Sequence, residues 1–283
     1  MPGAAQVQSS RRDQRNEGAR ARHREADGLI LAQSRRQGLS GAAEVFFLSG
    51  IAFLGALVFG VTGFGAALVT IPLATHLVPL KFALALFVLA DLAAALSVGL
   101  EKPKNAVRPE WIRLVPMIVA GTALGVTLLV SLPRAAGMLL LGVFVVSFAI
   151  LSLVRRGPAR VVSPRWAWIA GLAGGITSTV FGAGGPPYAI YLSQRGLTKE
   201  QFRATLGLAT LTSISLRLIA FLLTGLLLNR EVWLTALAVV PSCLLGIWVA
   251  RKIFLRISRD ALMRAVALLL FASGTSLLFR AIT

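Results

Sequence analysis

The sequence predicts an all-α fold: a polytopic integral membrane protein of about eight to ten hydrophobic helical segments, in two repeats with broken helices. Three observations predict it. Of the 283 residues, 56% are hydrophobic and only 14% are charged, whereas a soluble domain carries about 25% charged residues. From residue 45 onward, long apolar runs alternate with short basic loops. The two halves of the chain also resemble each other around glycine-rich stretches.

The apolar runs predict the individual segments. A helix that crosses a bilayer needs about 20 residues, and several runs meet that length. The two runs at 65–80 and 185–194 are short and follow glycine-rich stretches, so we predict half-helices or re-entrant elements there. The runs lie near residues 45–61, 65–80, 82–100, 111–131, 135–154, 166–182, 185–194, 202–228, 232–250 and 260–280.

The basic loops predict the orientation. Lysine and arginine cluster at 101–108, 155–165 and 251–259, and such loops remain on the cytoplasmic side of a membrane. A single cysteine, Cys243, leaves no partner for an intrachain disulfide. These features predict a multi-pass protein of the bacterial cytoplasmic (inner) membrane, although an organelle membrane would produce the same pattern.

The N-terminal 43 residues differ from the rest. They are polar, rich in arginine and without helical periodicity, so we predict a disordered extension at 1–43 and a transmembrane domain at 44–283. The net charge of +18 lies mostly in the short loops between apolar runs. It therefore predicts a lipid bilayer rather than nucleic acid as the partner.

An internal repeat relates the two halves, with repeat one at about 44–154 and repeat two at about 166–283. An offset of 119 residues aligns Gly63, Gly65, Ile71 and Leu73 with identical residues. Repeats with Gly/Pro-interrupted segments at corresponding positions indicate a secondary transporter. Half-helix N-termini carry partial positive charge, which favours an anion. The alternative is that the glycines only allow close helix packing. The candidate substrate-binding residues at the breaks are Gly63, Gly65, Gly182, Gly184, Gly185 and Pro186.

The second break carries a resemblance to a known family. The stretch 174–187, GGITSTVFGAGGPP, resembles the second-repeat signature of the sulfite exporter TauE/SafE family, and 60–65, GVTGFG, followed by Pro72, resembles its first-repeat partner. The resemblance covers about residues 44–283. It implies a transporter of about eight spans in two repeats that exports sulfite, sulfonates or related organosulfur anions. This chain departs from the family at Ala66-Ala67, where a longer glycine run is common.

Two charges lie in the middle of apolar segments, where each costs about 2.5–3.5 kcal/mol on insertion scales and is a functional candidate. Arg217 shares a helical face with Thr210 and Ser213, and a guanidinium among hydroxyls can bind an oxyanion. Alternatively, Arg217 forms a structural pair with Asp91. Asp91 in turn either neutralises Arg217 or carries a coupling proton.

Three further polar residues are candidates. His76 follows the first break, where it is either a proton relay or a structural group. Thr177 and Ser178 precede the second break, and their hydroxyls either line the cavity or bond back to helix carbonyls.

Catalytic and nucleotide-binding motifs are absent from the sequence. It contains no Gly-x-Ser-x-Gly elbow, His-Glu-x-x-His metal motif or phosphate-binding loop, so we expect no enzyme activity, metal or cofactor. We expect a small anionic substrate, export from the cytoplasm and rocking of the two halves, with a homo-oligomer possible. The remaining alternatives are a non-transporting membrane scaffold or assembly factor and a passive anion channel.

Overall fold

The computed structural model describes residues 41–99, 103–154, 161–253 and, beyond these, 271, 274–276, 278 and 279. The predicted extension at 1–43 therefore lies almost entirely outside the described residues, as does most of the predicted segment at 260–280. The chain divides after Phe46 into two units. The contacts reported below belong to the second unit, which starts at Phe47.

The described residues form helices and no strand, which confirms the predicted all-α class. Five of these helices (α1, α3, α4, α8 and α9) are long and apolar enough to cross a membrane. A 3₁₀ turn at Pro103–Asn105 precedes α4. The helices are α1 Gly41–Thr62, α2 Ala66–Ala74, α3 Leu80–Gly99, α4 Arg108–Ser131, α5 Arg134–Val154, α6 Trp166–Phe181, α7 Gly185–Ser193, α8 Lys199–Leu223 and α9 Arg230–Ile253.

Helix ends follow from local chemistry. α8 begins with a capping box, in which the Thr198 hydroxyl accepts from the backbone N–H of Gln201 and the Gln201 side chain accepts from the Thr198 N–H. These two backbone N–H groups, which have no partner within the helix, are thereby hydrogen-bonded. This cap explains why α8 starts three residues before the predicted apolar run. Gly225 follows the end of α8 with a φ of 78°, a left-handed conformation that stops the helix before the predicted end at 228.

The helix boundaries repeat along the chain. α2 and α7 have nine residues each and begin 119 positions apart. α3 and α8 also begin 119 positions apart, and α4 and α9 both have 24 residues. The series α1–α4 thus has its counterpart in α6–α9, with the same break after the first helix.

Glycines allow the repeats to pack closely against each other. A Cβ added at Gly121 of α4 would lie 2.4 Å from the Leu172 carbonyl oxygen of α6. On the other side, a Cβ at Gly246 of α9 would lie 2.6 Å from the Phe53 carbonyl oxygen of α1. Such small residues let helix backbones approach in membrane proteins. The last long helix of each series therefore packs on the first helix of the other.

Large apolar side chains also cover outward faces. Ile112 and Leu124 of α4 are 58% and 55% exposed, and Leu237 of α9 is 74% exposed. Extended apolar surface of this kind marks contact with a membrane. Several buried polar side chains, among them Asp91, Ser213 and Arg217, lie near the two breaks.

Candidate functional site

The first break separates α1 from α2. The Thr62 hydroxyl donates to the Val58 carbonyl at 2.8 Å and accepts from the Phe64 N–H at 3.3 Å, which holds the chain as it leaves α1. Gly63 and Gly65 have φ values of 80° and 91°. Glycine adopts this left-handed conformation without the Cβ clash that other residues suffer. The break therefore depends on these two glycines.

The second break separates α6 from α7. Gly182 has a φ of 74°, and a Cβ at Gly184 would lie 2.8 Å from the Gly174 carbonyl oxygen. A Cβ at Gly185 would lie 2.6 Å from the Phe64 Cβ, so the two breaks touch each other. Pro186 lies buried in the first turn of α7, where its missing N–H costs no helix hydrogen bond.

A small cavity lies between the two breaks, with a volume of about 20 Å³. This volume accommodates about one water molecule, so a larger ligand does not fit in this conformation. Side chains and backbone from six helices and both breaks form its wall. The lining residues are Phe59, Phe64, Gly65, Ala66, Ala67, Asp91, Ser178, Gly182, Ala183, Gly184, Gly185, Tyr188, Thr210, Ser213 and Ile214.

Much of this wall is built from repeat-related residues. At the offset of 119, Phe59 corresponds to Ser178, Phe64 to Ala183, Gly65 to Gly184, Ala66 to Gly185 and Asp91 to Thr210, and both members of each pair line the cavity. The cavity therefore lies where the two repeats meet, which is the position of substrate sites in transporters with repeated halves.

Asp91 and Arg217 form a buried ion pair beside this cavity. Their side chains are 8% and 1% exposed, and Arg217 Nη2 lies 2.6 Å from Asp91 Oδ2. Arg217 Nη1 also donates to the Ser178 carbonyl at 2.9 Å. The third guanidinium nitrogen of Arg217, Nε, is buried and has no hydrogen-bond partner among the described residues. Of the two roles weighed for Asp91, neutralising Arg217 is thus present in this conformation.

Hydroxyl groups complete the polar side of the cavity. The Tyr188 hydroxyl donates to Ser213 Oγ at 3.1 Å. Thr210 Oγ1 is buried and, within the described part of the chain, makes no hydrogen bond. A buried hydroxyl without a partner is costly, and both Thr210 and Asp91 line the cavity.

Other predicted residues lie elsewhere. The Thr177 hydroxyl donates back to the Ala173 carbonyl at 2.9 Å, which is the second of the two roles considered for it. Thr177 does not line the cavity. His76 lies exposed in the turn after α2 and is likewise absent from the cavity wall. Gly63 and Pro186 shape the breaks without lining the cavity.

Sequence reasoning missed a second polar cluster, which we call the α7 anchor: Glu110, Arg113, Tyr191 and Arg195. Glu110 is 4% exposed, and its Oε1 accepts from Arg113 Nη1 at 3.0 Å and from Arg195 Nη2 at 2.9 Å. Its Oε2 accepts from the Tyr191 hydroxyl. The hydrogen bond with Glu110 raises the pKa of Arg195 above its ordinary value. The available signal was an acid at the start of the apolar run 111–131, next to the basic loop at 101–108.

The α7 anchor joins parts of both repeats. Glu110 lies in the first turn of α4, Tyr191 lies near the end of α7, and Arg195 follows α7 and donates to the Val162 carbonyl ahead of α6. The far end of the second half-helix is therefore tied by charged hydrogen bonds. These are stronger than neutral ones.

Comparison with known proteins identifies the family of the chain. The profile of the sulfite exporter TauE/SafE family matches residues 48–277. The chain belongs to the sulfite exporter TauE/SafE family. A relative, described as "Probable inner membrane transporter protein TsaS" of Comamonas testosteroni, is 28% identical over 169 residues, which are 58% of this chain and 69% of the relative. No solved structure matches.

Membership in the TauE/SafE family confirms several predictions. The chain is a multi-pass membrane transporter rather than an enzyme, and it acts on a small molecule within a lipid bilayer. The predicted inner-membrane location agrees with the relative and with the membrane-spanning helices. The identity of the substrate is a separate question, which depends on the cavity.

Proposed function

We propose that this TauE/SafE protein is a secondary transporter that exports a small sulfur-containing anion, such as sulfite or an organosulfonate. The observation that carries the proposal is the buried Arg217 beside a cavity enclosed by two helix breaks. The family description supports the sulfur chemistry. The residues support the negative charge of the substrate, because a guanidinium and helix N-termini both favour oxyanions.

The backbone contributes donors at the first break. Ala66 and Ala67 open α2 and line the cavity, and no side chain caps this helix. The first N–H groups of a helix have no partner within the helix. They are therefore available to an oxyanion. α7 also lacks a side-chain cap, but Pro186 and Pro187 have no N–H to offer.

Transport requires the closed cavity to open. A volume of about 20 Å³ is too small for a sulfur oxyanion, so the repeats must separate to admit it. Rocking of one repeat against the other around a central site is the usual form of alternating access. This mechanism distinguishes a carrier from a passive anion channel, in which a continuous pore would conduct without rocking.

Ligand-dependent stability tests the substrate class. Purified protein is heated with sulfite, thiosulfate, sulfate, sulfoacetate, taurine or chloride. An anion at 100 times its dissociation constant raises the free energy of unfolding by about 2.7 kcal/mol. We expect a selective increase with a sulfur anion. No increase with any anion, from folded protein, would refute the proposed anionic substrate.

Counterflow in proteoliposomes separates carrier from channel. Vesicles are loaded with the stabilising anion, and uptake of the same labelled anion is measured. A carrier gives transient accumulation driven by exchange, whereas a channel gives simple equilibration. Equilibration without accumulation would contradict alternating access while leaving the anion chemistry intact.

A further inference from the structure

We propose that Asp91 is an internal counter-ion that the substrate displaces from Arg217, and that the displaced carboxylate takes up one proton. Each anion then crosses the membrane together with one proton. This inference rests on the proposed anion transport and adds the coupling ion and its stoichiometry. It combines the two roles of Asp91, ion-pair partner and proton carrier, as successive states of one residue.

The arrangement of the pair carries the argument. Asp91 lines the cavity, whereas Arg217 does not. Arg217 lies behind the wall, where a Cβ added at Gly182 would be 3.0 Å from its Nη1. An anion in the cavity therefore meets the Asp91 carboxylate before it reaches the guanidinium. Two negative charges in one small cavity repel each other strongly because little water screens them. The Asp91 carboxylate therefore has to move away or lose its charge.

Arg217 has unused capacity for the incoming anion. Asp91 occupies Nη2 and the Ser178 carbonyl occupies Nη1, while Nε is buried without a partner in the described residues. An oxyanion that replaces Asp91 gains Nη2 and can reach Nε on the same edge of the planar guanidinium. Such forked contacts are the preferred geometry of arginine with oxyanions. The same fork explains why substrate and carboxylate compete for one site.

Charge balance then requires the proton. The empty site is neutral, because Arg217 and Asp91 cancel each other. A bound monovalent anion cancels Arg217 by itself, which leaves Asp91 as an extra buried negative charge. Buried unpaired charges are avoided by neutralisation. The carboxylate accordingly gains a proton from water on the side where the site is open, and it loses this proton when it pairs again with Arg217 after release.

Asp91 is the group that suits this exchange. The titratable groups around it in the described structure are Arg217 from α8, Tyr188 across the cavity on α7, and Cys243 on α9, whose Sγ contacts the Ala90 carbonyl. Arginine does not lose its proton in proteins. The tyrosine and the thiol are already protonated at neutral pH. Only the carboxylate can accept a proton there.

The proposal has a consequence for energetics. A monovalent anion that moves with one proton carries no net charge, and the empty site also returns neutral. The membrane potential then exerts no force on the cycle. Export therefore depends on the outward gradient of the substrate and works against an inward proton gradient.

Anion affinity at two pH values tests the coupling. Affinity for methanesulfonate and isethionate, monovalent sulfonates whose own charge is constant in this range, is measured calorimetrically at about pH 6 and about pH 8. Wild-type affinity should fall by about tenfold for each unit by which the pH rises, because each bound anion is accompanied by the uptake of one proton. Asp91→Asn, an isostere of the protonated state, should bind with no pH dependence. If sulfite is the only anion that binds, proton uptake on sulfite binding is compared between the wild type and Asp91→Asn. The titration of sulfite itself contributes equally to both measurements and therefore cancels in the difference.

Two controls keep the outcomes separate. Glu231→Gln, at an exposed acid in the first turn of α9, should keep the wild-type slope. Should Asp91→Asn not fold, proton uptake by the wild type decides alone. A wild-type affinity that is flat with pH, or an equal slope in Asp91→Asn, overturns the coupling and leaves anion transport standing. Absence of binding by both folded chains overturns the proposed substrate class and the coupling with it.

Discussion

The two helix breaks share a backbone plan but differ in chemistry. Both half-helices have nine residues and start three positions after a left-handed glycine, Gly63 or Gly182. The first break leaves its backbone donors free and is followed by Asp91. The second loses donors to Pro186 and Pro187, and is followed by Thr210 and Arg217. The repeated backbone thus forms a symmetric cavity. Its charges are not symmetric, because repeat one carries the negative Asp91 and repeat two carries the positive Arg217.

The ends of the half-helices differ as well. α7 is held by the α7 anchor, in which Glu110 gathers two arginines and Tyr191. Beyond α2, the corresponding turn contains Thr75, whose hydroxyl donates to the Pro72 carbonyl at 2.8 Å. The repeat-related position of Arg195 is the exposed His76. The half-helix of repeat two thus ends in a charged cluster, whereas the turn after that of repeat one contains the hydrogen bond of Thr75.

The largest expected effect comes from separating the charges at the cavity. Arg217→Gln leaves Asp91 buried without its partner, which should lower the free energy of unfolding by about 3–5 kcal/mol. The double variant Arg217→Gln/Asp91→Asn removes both charges and should recover most of this loss, but it should not transport. Thermal unfolding and proteoliposome flux measure the two effects. Normal flux in the folded double variant would show that the pair is only structural.

Alanine at the left-handed glycines compares the breaks directly. Gly63→Ala has open space around the new Cβ, so only backbone strain of about 1–2 kcal/mol is expected. Gly182→Ala adds contacts at 2.9 Å with Ala67 Cβ and 3.0 Å with Arg217 Nη1, and should lower stability further and reduce flux. Unfolding of both variants is compared under identical detergent conditions. Equal losses would mean that the second break is no more tightly packed than the first.

The α7 anchor predicts an intermediate effect. Glu110→Gln replaces the carboxylate that accepts from Arg113, Arg195 and Tyr191, and should cost about 1–2 kcal/mol because part of the cluster reaches solvent. Hydrogen exchange of α7 should increase more than that of α2. The exposed Glu231→Gln serves as its matched control and should change neither quantity. Unchanged exchange in α7 would mean that the cluster does not hold the half-helix.

The smallest effect concerns Thr210, which occupies the position of Asp91 in the second repeat. Thr210→Val removes a buried hydroxyl without a partner in the described structure, so stability should be equal to wild type or slightly higher. Anion affinity should fall about fivefold, which corresponds to one lost hydrogen bond of about 1 kcal/mol. Titration calorimetry measures this change. Unaltered affinity would place Thr210 outside the substrate contacts.

Much of the fold could be predicted from single residues and their spacing. Glycine at 63, 65 and 182 is required by backbone conformation, so the breaks were visible in the sequence. The apolar runs located helices α1 to α9 to within about six residues, since apolar length decides what a bilayer accepts. Errors at the ends of α8 arose from the cap at Thr198 and from Gly225, where local hydrogen bonding and backbone conformation outweigh hydrophobicity.

The site was less accessible to such reasoning. Spacing placed Thr210, Ser213 and Arg217 on one helical face, and the structure brings all three to the cavity or directly behind it. It could not tell that Thr177 bonds back to its own helix or that His76 lies exposed. Glu110 escaped notice because an acid at a helix start usually needs only solvent as a partner.

By itself, the sequence determined a membrane protein of repeated, interrupted helices and the family to which it belongs, because hydrophobic length and glycine conformation are local properties. Only the tertiary structure decided that Asp91 faces the cavity while Arg217 lies behind it. That order depends on how α3, α6 and α8 pack around the breaks, and residues 126 positions apart meet only through this packing. The same packing brings Glu110 to Tyr191 and Arg195.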